Sequence, residues 1–450
     1  MEEEKKKNIW IINHYAIPPS MGGLNRHYYF AKELIARGNS VRVFSASTIH
    51  NTSINIISDK ENKKFKETEI DGLIYTFIKS KSYKGNGISR IKNMIGFMLS
   101  VKKIKKYFKN EKPNIIYTSS PDLLTAFSAL RLAKKIKVPC VCEIRDLWPL
   151  SIVEYTSLTN SNPAIRLLYA LEKYIYKKAD ALIFTMEGGK QYIRDKKWDK
   201  SIDLDKVFHI NNGVDLEQQQ CLRNKEAIDG DIFENGKFHV TYLGSIRKAN
   251  NLGAIIDAAK VISEKDDNIE FIIYGDGTQR EELENRCKKE NINNVIFRGR
   301  VDKKFVPYIC LNSDLNIMSL VNVRQTKIKP SKKLLISRGI MVRFTKASFD
   351  YGVSCNKLFD YMAAGKPILS TFKVKYDLIQ KYDCGLTCEN QDAPTIADAI
   401  IKIKELPAQE YGKMCENAKR AAEDYDFKIL TDKLESVIEY TLLKDENAVY

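Results

Sequence analysis

Short apolar runs alternate with longer amphipathic stretches along most of the chain. In the first half, the runs occupy residues 8–13, 40–46, 73–78, 114–119, 138–144, 181–186 and 207–210. Apolar residues recur at helical spacing in the stretches between them, at 24–37, 88–109, 121–136, 163–178 and 187–196. This alternation predicts a parallel sheet with helices on both faces.

The same alternation restarts after the segment NNGVDLEQ at 211–218. Apolar runs at 238–244, 270–277, 294–300, 314–320 and 367–370 alternate with predicted helices at 250–264, 278–290, 302–310 and 356–364, and helical patterns fill 392–443. The pattern predicts an α/β protein of two Rossmann-like domains that face each other. Ligands bind at the carboxyl ends of strands in such sheets, so we expect the site in the cleft between the domains.

Two basic segments stand out from this regular pattern. Residues 321–350 occupy a place where a short loop would suffice, and they contain eight basic side chains and one acid, Asp350. Residues 88–110 join apolar positions at helical spacing to a lysine-rich second half. Each segment fits a solvated face, and the alternative for each is contact with an anionic surface or acceptor.

Composition narrows the class of protein without choosing a partner. The chain has 450 residues, 44% of them hydrophobic, and a formal net charge of +16. It is therefore a folded protein, and its charge favours nucleic acid, an anionic membrane face or a phosphorylated substrate. The nine cysteines are scattered without a CxxC pair, so we expect no metal site. No apolar run is long enough to span a bilayer, and the first residues are not those of a secretory signal, which predicts a cytoplasmic location.

Glycines and cations follow two predicted strands of the second domain. In YLGSIRKANN, the predicted strand ends at Gly244 and Ser245 follows it. Arg247 and Lys248 then supply positive charge that suits a diphosphate. The alternative is a surface turn whose charges have no ligand. In IIYGDGTQREELE at 272–284, the Gly275-Asp276-Gly277 turn lacks the third glycine of the dinucleotide fingerprint. That turn fits a ribose and base as well as it fits plain turn chemistry.

The segment YGVSCNKLFDYMAAGKPIL at 351–369 predicts a loop, a helix and a strand. Ser354 and Asn356 are candidate N-caps, and Gly365 ends the helix. Free amides at a helix start stabilise a phosphate, and Asp360 one turn later suits a ribose diol. The competing interpretation is an acid that only complements the helix dipole.

In the first domain, two loops after predicted strands carry candidate chemistry. Gly22 and Gly23 precede a helix and allow phosphate oxygens to approach the backbone, or they form a flexible loop. The segment CEIRDLWPLSIVEY at 142–155 concentrates polar and aromatic side chains where a strand ends: Glu143, Arg145, Asp146 and Trp148. An internal Arg145–Asp146 network is the structural alternative.

Taken in order, the GG loop, RDLWP, NNGVD, YLGSIRKANN, YGDG and NKLFDYMAAGKPIL resemble the retaining glycosyltransferases of family 4, which have the GT-B fold. The segments RDLWP and NKLFDYMAAGKP are most similar to the corresponding segments of the fucosamine-type amino-sugar transferases of bacterial surface-polysaccharide assembly. The resemblance implies an acceptor-side domain at 1–212 and a donor-binding domain at 213–425 that holds the insert 321–350. It also implies that the segment 426–450 crosses back onto the first domain.

The resemblance further implies a nucleotide diphosphate sugar, UDP-linked, as co-substrate, with no metal and no other cofactor. Asp360 then binds the ribose, Arg247 and Lys248 neutralise the departing diphosphate, and Gly22 and Gly23 lie over the phosphates. The remaining donor contacts would come from Gly244, Ser245, Gly275, Asp276, Gly277, Ser354, Asn356 and Lys357. Glu143 and Asp146 become candidate catalytic groups on the acceptor side, together with Arg145 and Trp148.

This sequence departs from the family in two places. Many members carry two glutamates eight positions apart, where this chain has Gly352 and Asp360. Serines at 117–124 replace a histidine that is common after the fourth or fifth strand.

We expect a lipid-linked saccharide acceptor at the cytoplasmic face of the membrane, to which the protein binds peripherally through 88–110 and 321–350. The alternatives are a sugar-nucleotide epimerase or phosphorylase of the same fold, and a non-catalytic protein that binds an anionic ligand or nucleic acid.

Overall fold

The computed structural model describes residues 6–22, 25–50, 52–83, 85, 87–223, 232–321 and 347–447. The chain divides into two compact units: one consists of residues 1–212 and 427–450, and the other of residues 213–426. Most of the insert predicted at 321–350 lies outside the described residues, as does Gly23.

An eight-stranded sheet forms the first unit. Its strands are β1 (Asn8–Ile12), β2 (Ser40–Ala46), β3 (Phe65–Ile70), β4 (Leu73–Ile78), β5 (Ile115–Ser119), β6 (Cys140–Ile144), β7 (Ala181–Phe184) and β8 (Val207–His209). The strand order is β3-β4-β2-β1-β5-β6-β7-β8, and every pair is parallel except β3 with β4. Residues of β5, β6 and β7 are buried throughout, as expected for parallel strands covered on both faces.

Seven helices connect these strands within the described part of the first unit. They are α1 (Arg26–Ala36), α2 (Ile88–Val101), α3 (Ile104–Tyr107), α4 (Leu123–Ile136), α5 (Leu150–Tyr155), α6 (Pro163–Lys178) and α7 (Gly189–Asp195). The continuous helix predicted at 88–109 is two helices. The polar strand β3, FKETEI, escaped the sequence analysis because an edge strand that alternates exposed and half-buried residues shows no apolar run.

A six-stranded, fully parallel sheet forms the second unit. Its strands are β9 (Phe238–Leu243), β10 (Ile269–Tyr274), β11 (Val295–Gly299), β12 (Leu315–Met318), β13 (Ile368–Ser370) and β14 (Gly385–Thr387). Their order is β11-β10-β9-β12-β13-β14. The helices are α8 (Leu216–Arg223), α9 (Leu252–Ser263), α10 (Arg280–Lys289), α11 (Val306–Asn312), α12 (Asn356–Ala364), α13 (Leu378–Tyr382), α14 (Ala393–Lys404) and α15 (Ala408–Glu423).

The last helix, α16 (Phe427–Asn447), belongs to the first unit. Phe427 stacks on Tyr29 of α1 with ring centroids 4.7 Å apart, and Arg37 donates to Asp432 and Glu435 at 2.6 Å. Apolar packing and ion pairs therefore hold this helix against α1.

Both sheets reverse their strand order at one point, and those points locate the candidate sites. In the first unit the reversal lies between β1 and β5, and in the second it lies between β9 and β12. Loops diverge to opposite faces at such a point and leave a crevice outside the carboxyl ends of the strands. The segments after β9 and β12 are the turn at 244–251 and the segment that leads to α12.

Candidate functional site

The turns after β9 and β10 pack backbone against backbone. A Cβ on Gly275 would lie 1.7 Å from the carbonyl oxygen of Gly244, and one on Gly277 would lie 2.2 Å from that of Ile246. The amide of Ile246 donates to the carbonyl of Asp276 at 2.9 Å. Gly275 and Gly277 are thus required by the neighbouring turn. Asp276 is exposed, and its carboxylate accepts a hydrogen bond from the amide of Gly277.

The start of α12 reaches the turn after β9 through one lysine. Lys357 Nζ donates to Tyr242 Oη at 2.9 Å and lies 4.1 Å from the centroid of that ring. The Tyr242 hydroxyl in turn donates to the carbonyl of Ser245 at 2.9 Å. A Cβ on Gly244, whose φ is +150°, would lie 2.8 Å from the Lys357 ammonium. The two sequence motifs therefore meet, and a cation covers the glycine.

Tyr361 fixes the position of α12 on the sheet. Its buried hydroxyl accepts a hydrogen bond from the amide of Leu243 at 2.9 Å, and it lies 3.4 Å from the carbonyls of Leu243 and Ile317. One side chain thus ties the helix to the ends of β9 and β12, the two strands at the reversal point. Burial raises the pKa of Tyr361 well above its ordinary value, so the hydroxyl stays neutral.

Asp360 lies on the same helix and is partly exposed. Gln219 of α8 donates from Nε2 to its Oδ1 at 3.0 Å. Burial raises the pKa of Asp360, while the charge of Lys303 and the hydrogen bond from Gln219 oppose that rise. Gln219 was not among the predicted site residues, because a glutamine on a polar helix carries no signal of a partner 141 residues away.

The predicted caps of α12 were wrong. Cys355, in extended conformation, occupies the N-cap position without a side-chain hydrogen bond to the helix, and Asn356 is the first helical residue. Ser354 precedes the cap, so neither of the two predicted residues fills that position. The helix ends as predicted at Gly365, whose φ is +66°.

Arg247 and Lys248 lie in the turn between β9 and α9, and both side chains are exposed. Neither makes an ion pair or side-chain hydrogen bond with any residue in the described ranges. Arg247 has extended backbone conformation and precedes a short 3-10 helix at Lys248–Asn250. Two cations are therefore available to an anion at the carboxyl end of β9.

In the first unit, Glu143 is wholly buried and fully engaged. Arg26 donates from Nε to Oε2 at 2.8 Å, Ser119 donates to Oε1 at 2.7 Å, and Tyr117 also donates. Burial would raise the pKa of Glu143, but the charges of Arg26 and its neighbours outweigh burial and lower it. The predicted acceptor-side role of Glu143 is not supported, because the carboxylate is an internal counter-ion with 0% exposure.

The other predicted residues after β6 are partly exposed. The amide of Arg145 donates to Ser120 Oγ, and the amide of Trp148 donates to the carbonyl of Asp146, both at 2.9 Å. Burial raises the pKa of Asp146. Gly22, with φ of +75°, ends a short 3-10 helix at Pro19–Met21.

A polar cluster around His14 lies at the reversal point of the first sheet and was not among the sequence predictions. His14 follows β1, and its Nδ1 lies 3.1 Å from Oδ2 of Asp122, which caps α4 after β5. Its Nε2 lies 2.7 Å from Oδ1 of Asn93 on α2, and the ring is stacked between Tyr15 and Phe97. The sequence did contain a signal for this cluster, because His14 follows β1 and Asp122 follows β5, the two strands at which the order of the sheet reverses.

No helix within the described ranges is long and apolar enough to cross a bilayer. The same residues contain no group of three or more His, Cys, Asp or Glu side chains placed to hold a metal ion.

Comparison with protein families gives glycosyltransferase matches in both units. Residues 21–218 match the model of Glycosyltransferase Family 4, and residues 224–321 match the model of Glycosyl transferases group 1. The probable glycosyltransferase WbjE of Pseudomonas aeruginosa is 22% identical over 417 residues, which are 90% of this chain and 91% of WbjE. These matches support the prediction that the chain is a glycosyltransferase.

Solved structures share the fold of this chain. The Anabaena protein Alr3699/HepE, in complex with UDP-glucose, superposes with a TM-score of 0.61 at 14% identity, covering 96% of this chain and 99% of that one. WaaG, a glycosyltransferase involved in lipopolysaccharide biosynthesis, superposes with a TM-score of 0.60 at 14% identity over the same shares. The chain has the GT-B fold, as predicted, with two parallel-sheet α/β units.

Proposed function

We propose that the protein is a retaining, metal-independent glycosyltransferase that moves a sugar from a UDP-linked donor to a lipid-linked saccharide. The observation that carries this proposal is the contact of Lys357 with Tyr242 and Gly244. It brings the start of α12 to the turn that holds Arg247 and Lys248, at the strand reversal of the second sheet. Cations gathered around a glycine turn suit a diphosphate.

In this proposal Asp360 accepts hydrogen bonds from the ribose hydroxyls. The carboxylate is partly exposed, and one of its oxygens, Oδ1, is engaged by Gln219. The side chain lies one helical turn after Lys357, so a bound diphosphate near the lysine would place its ribose towards the acid. UDP is the favoured nucleotide because a protein of the same fold, Alr3699/HepE, has been solved with UDP-glucose.

The chemistry follows from where charge develops. The bond between the anomeric carbon and the β-phosphate oxygen breaks, and the acceptor oxygen forms the new bond on the same face of the sugar. The acceptor proton passes to the leaving phosphate. Arg247, Lys248 and Lys357 stabilise the growing negative charge more strongly in the transition state than in the bound donor. No protein base is required, which suits a chain whose Glu143 is buried.

The sugar and the acceptor rest on different observations. The RDLWP and NKLFDYMAAGKP motifs resemble those of fucosamine-type transferases, so we assign an N-acetylated amino or deoxyamino sugar. Asp146, Arg145 and Trp148 remain the acceptor-side candidates. A solved relative of the same fold, WaaG, is involved in lipopolysaccharide biosynthesis, which agrees with a lipid-linked acceptor.

An exposed apolar stripe on α2 supports peripheral binding to the cytoplasmic face of a membrane. Ile88, Ile91, Ile95 and Leu99 lie on one side of the helix and are 72%, 53%, 40% and 48% exposed. Met94, Phe97 and Val101 on the other side fill the core. Lys92 on the helix and Lys102 and Lys103 directly after it are also exposed. A helix with apolar and basic surfaces of this kind lies in the interface of an anionic bilayer.

Transfer assays with a panel of nucleotide sugars and a lipid-linked acceptor test the activity. We expect UDP release that depends on the acceptor, whereas an epimerase would convert the donor without acceptor. Arg247→Ala should lower kcat/KM by a factor of about 100. Lys402→Ala removes an equally exposed cation from α14 of the same unit and should leave kcat/KM unchanged. A loss below about threefold for Arg247→Ala would reject its role.

Flotation with phosphatidylglycerol vesicles tests the membrane assignment separately. Ile91→Ser with Ile95→Ser should abolish flotation at low salt without altering transfer to a soluble acceptor analogue. Leu167→Ser, which changes a 71% exposed leucine on α6, is the control and should leave flotation intact. Equal flotation of the stripe variant and the wild type would contradict the assignment.

A further inference from the structure

A concave surface lies in the first unit, at the amino-terminal edge of its sheet. The cavity has a volume of about 640 Å³ and lies between the ends of α3 and α4. Seven lysines line it together with an apolar floor: Lys102, Lys105, Lys106, Lys109, Lys112, Lys135 and Lys137, with Trp10, Phe108 and Ile136. We name this surface the lysine pocket.

The residues that line the lysine pocket include no acid. None of its seven lysines forms an ion pair with an Asp or Glu in the part of the chain that the structure describes. The acid nearest in sequence, Glu111, accepts instead from Arg42 at 2.5 Å. Arg42 lies 5.0 Å from the Phe108 ring and also pairs with Glu67. Both carboxylates are therefore paired with Arg42.

The floor of the lysine pocket is fixed. Trp10 of β1 contacts Phe44 and Phe108 edge-to-face, with ring centroids 5.0 Å and 6.3 Å apart. Its indole Nε1 is buried and has no hydrogen-bond partner among the described residues. Lys105 Nζ donates to the carbonyl of Lys135 at 3.1 Å and so ties α3 to the end of α4. The aromatic residues that line the pocket are thus held in place by their contacts with one another.

A solvated lysine face alone does not explain this arrangement. Lysines in the last turns of α3 and α4 complement the helix dipoles, which accounts for Lys105, Lys106 and Lys135. The same explanation covers Lys102 and Lys137, which are the C-cap residues of α2 and α4. It does not cover Lys109 and Lys112, which come from the segment between α3 and β5 and line the same cavity. Like charges held around a concavity repel one another and raise the local concentration of anions.

We propose that the lysine pocket binds a phosphorylated ligand that carries more than one negative charge, at a site separate from the one that contains Asp360. Ammonium groups bind phosphate as point charges with three donors each, and several of them surround a diphosphate without a geometric constraint. The ligand is either a soluble diphosphate or the phosphate headgroup of a lipid, because both present the same oxygens.

Equilibrium dialysis with inorganic pyrophosphate tests the site. Wild type should bind two equivalents, one in the lysine pocket and one at the proposed donor site. The triple variant Lys106→Gln, Lys109→Gln, Lys135→Gln should lose one equivalent. The variant Arg247→Ala, Lys248→Ala should lose the other, so failure of the donor assignment leaves the pocket measurement intact. Binding in the lysine pocket should weaken as salt rises.

A matched control removes the same charge from the same unit. Lys177→Gln, Lys178→Gln, Lys190→Gln changes three exposed lysines on α6 and α7, and it should keep both equivalents. Flotation with vesicles that contain phosphatidic acid identifies the source. Binding that needs the pocket lysines assigns a lipid headgroup, and pyrophosphate binding without vesicle binding assigns a soluble ligand. Unchanged behaviour of the triple variant in both assays overturns the proposal.

Discussion

Lys357 and Tyr242 form a cation–hydroxyl pair that joins α12 to the end of β9: the ammonium donates to the phenol oxygen at 2.9 Å. The lysine also covers Gly244, where any side chain would meet it. Because Gly244 has no side chain, the lysine can lie over the turn, and a bound ligand could replace the phenol as the acceptor of the ammonium.

Lys357→Met tests this pair. The variant keeps a long apolar stem and loses the charge, so we expect kcat/KM to fall by a factor of about 100 with little change in stability. Lys381→Met is the control, because Lys381 on α13 is an exposed lysine that also lies near a tyrosine ring, 5.1 Å from the centroid of Tyr382. Equal kinetics for the two variants would separate Lys357 from the chemistry.

Gly275→Ala tests the packing of the two turns. The new Cβ would lie 1.7 Å from a backbone carbonyl, and φ is +139°, so we expect a loss of about 3 kcal/mol in the free energy of unfolding. Gly412→Ala, in α15 with open space around it, should instead stabilise the protein by about 0.5 to 1 kcal/mol. Denaturant titration measures both, and a neutral Gly275→Ala would refute the close approach.

Glu143→Gln tests the buried ion pair. The change leaves Arg26 buried without its counter-ion, so the free energy of unfolding should fall by about 3 kcal/mol or more. Adding Arg26→Met should cost less than the sum of the single losses, because the pair is removed together. The kcat of the folded fraction should not change. A fall in kcat with an intact fold would restore the acceptor-side role that the sequence suggested.

Glu172 makes stability depend on pH. Burial raises its pKa from 4.5 to about 8, opposed by hydrogen bonds from Tyr176 and Tyr192 and by the charge of Lys196. Between these values the folded state keeps a proton that the unfolded chain has released, so the free energy of unfolding falls as pH rises. Thermal melts at several pH values across that range should show the melting temperature of the wild type falling as pH rises. This pH dependence should be weaker in Glu172→Gln. Glu187→Gln, at an exposed acid, should retain the wild-type slope.

Asp360→Ala tests ribose recognition. We expect wild type to prefer a UDP-sugar over its 2′-deoxy analogue by about tenfold or more in kcat/KM, which corresponds to a hydrogen bond to a charged acceptor, and the variant to lose that preference. Gln219→Ala removes the partner of Asp360 and keeps its carboxylate, so the preference should remain. Persistence of the preference in Asp360→Ala would assign the ribose to another group.

The sequence by itself determined most of the elements and the fold class. The apolar runs of β1, β5, β6 and β7 have the continuous burial of covered parallel strands, and α12 begins and ends as its pattern indicates. Burial periodicity is a local property, so it is readable from neighbouring residues. The polar edge strand β3 and the N-cap residue of α12 were not predicted, because neither position requires a distinctive residue.

Only the tertiary structure decided which candidates are internal and which are open. Glu143 and Arg145 are near neighbours in sequence, yet one is sealed in the core by Arg26 and the other is partly exposed. Gln219 and Asp360, or His14 and Asp122, meet across 141 and 108 residues. A side chain's partners depend on how the sheet orders its strands. That order is set by the packing of the whole unit and not by any single stretch.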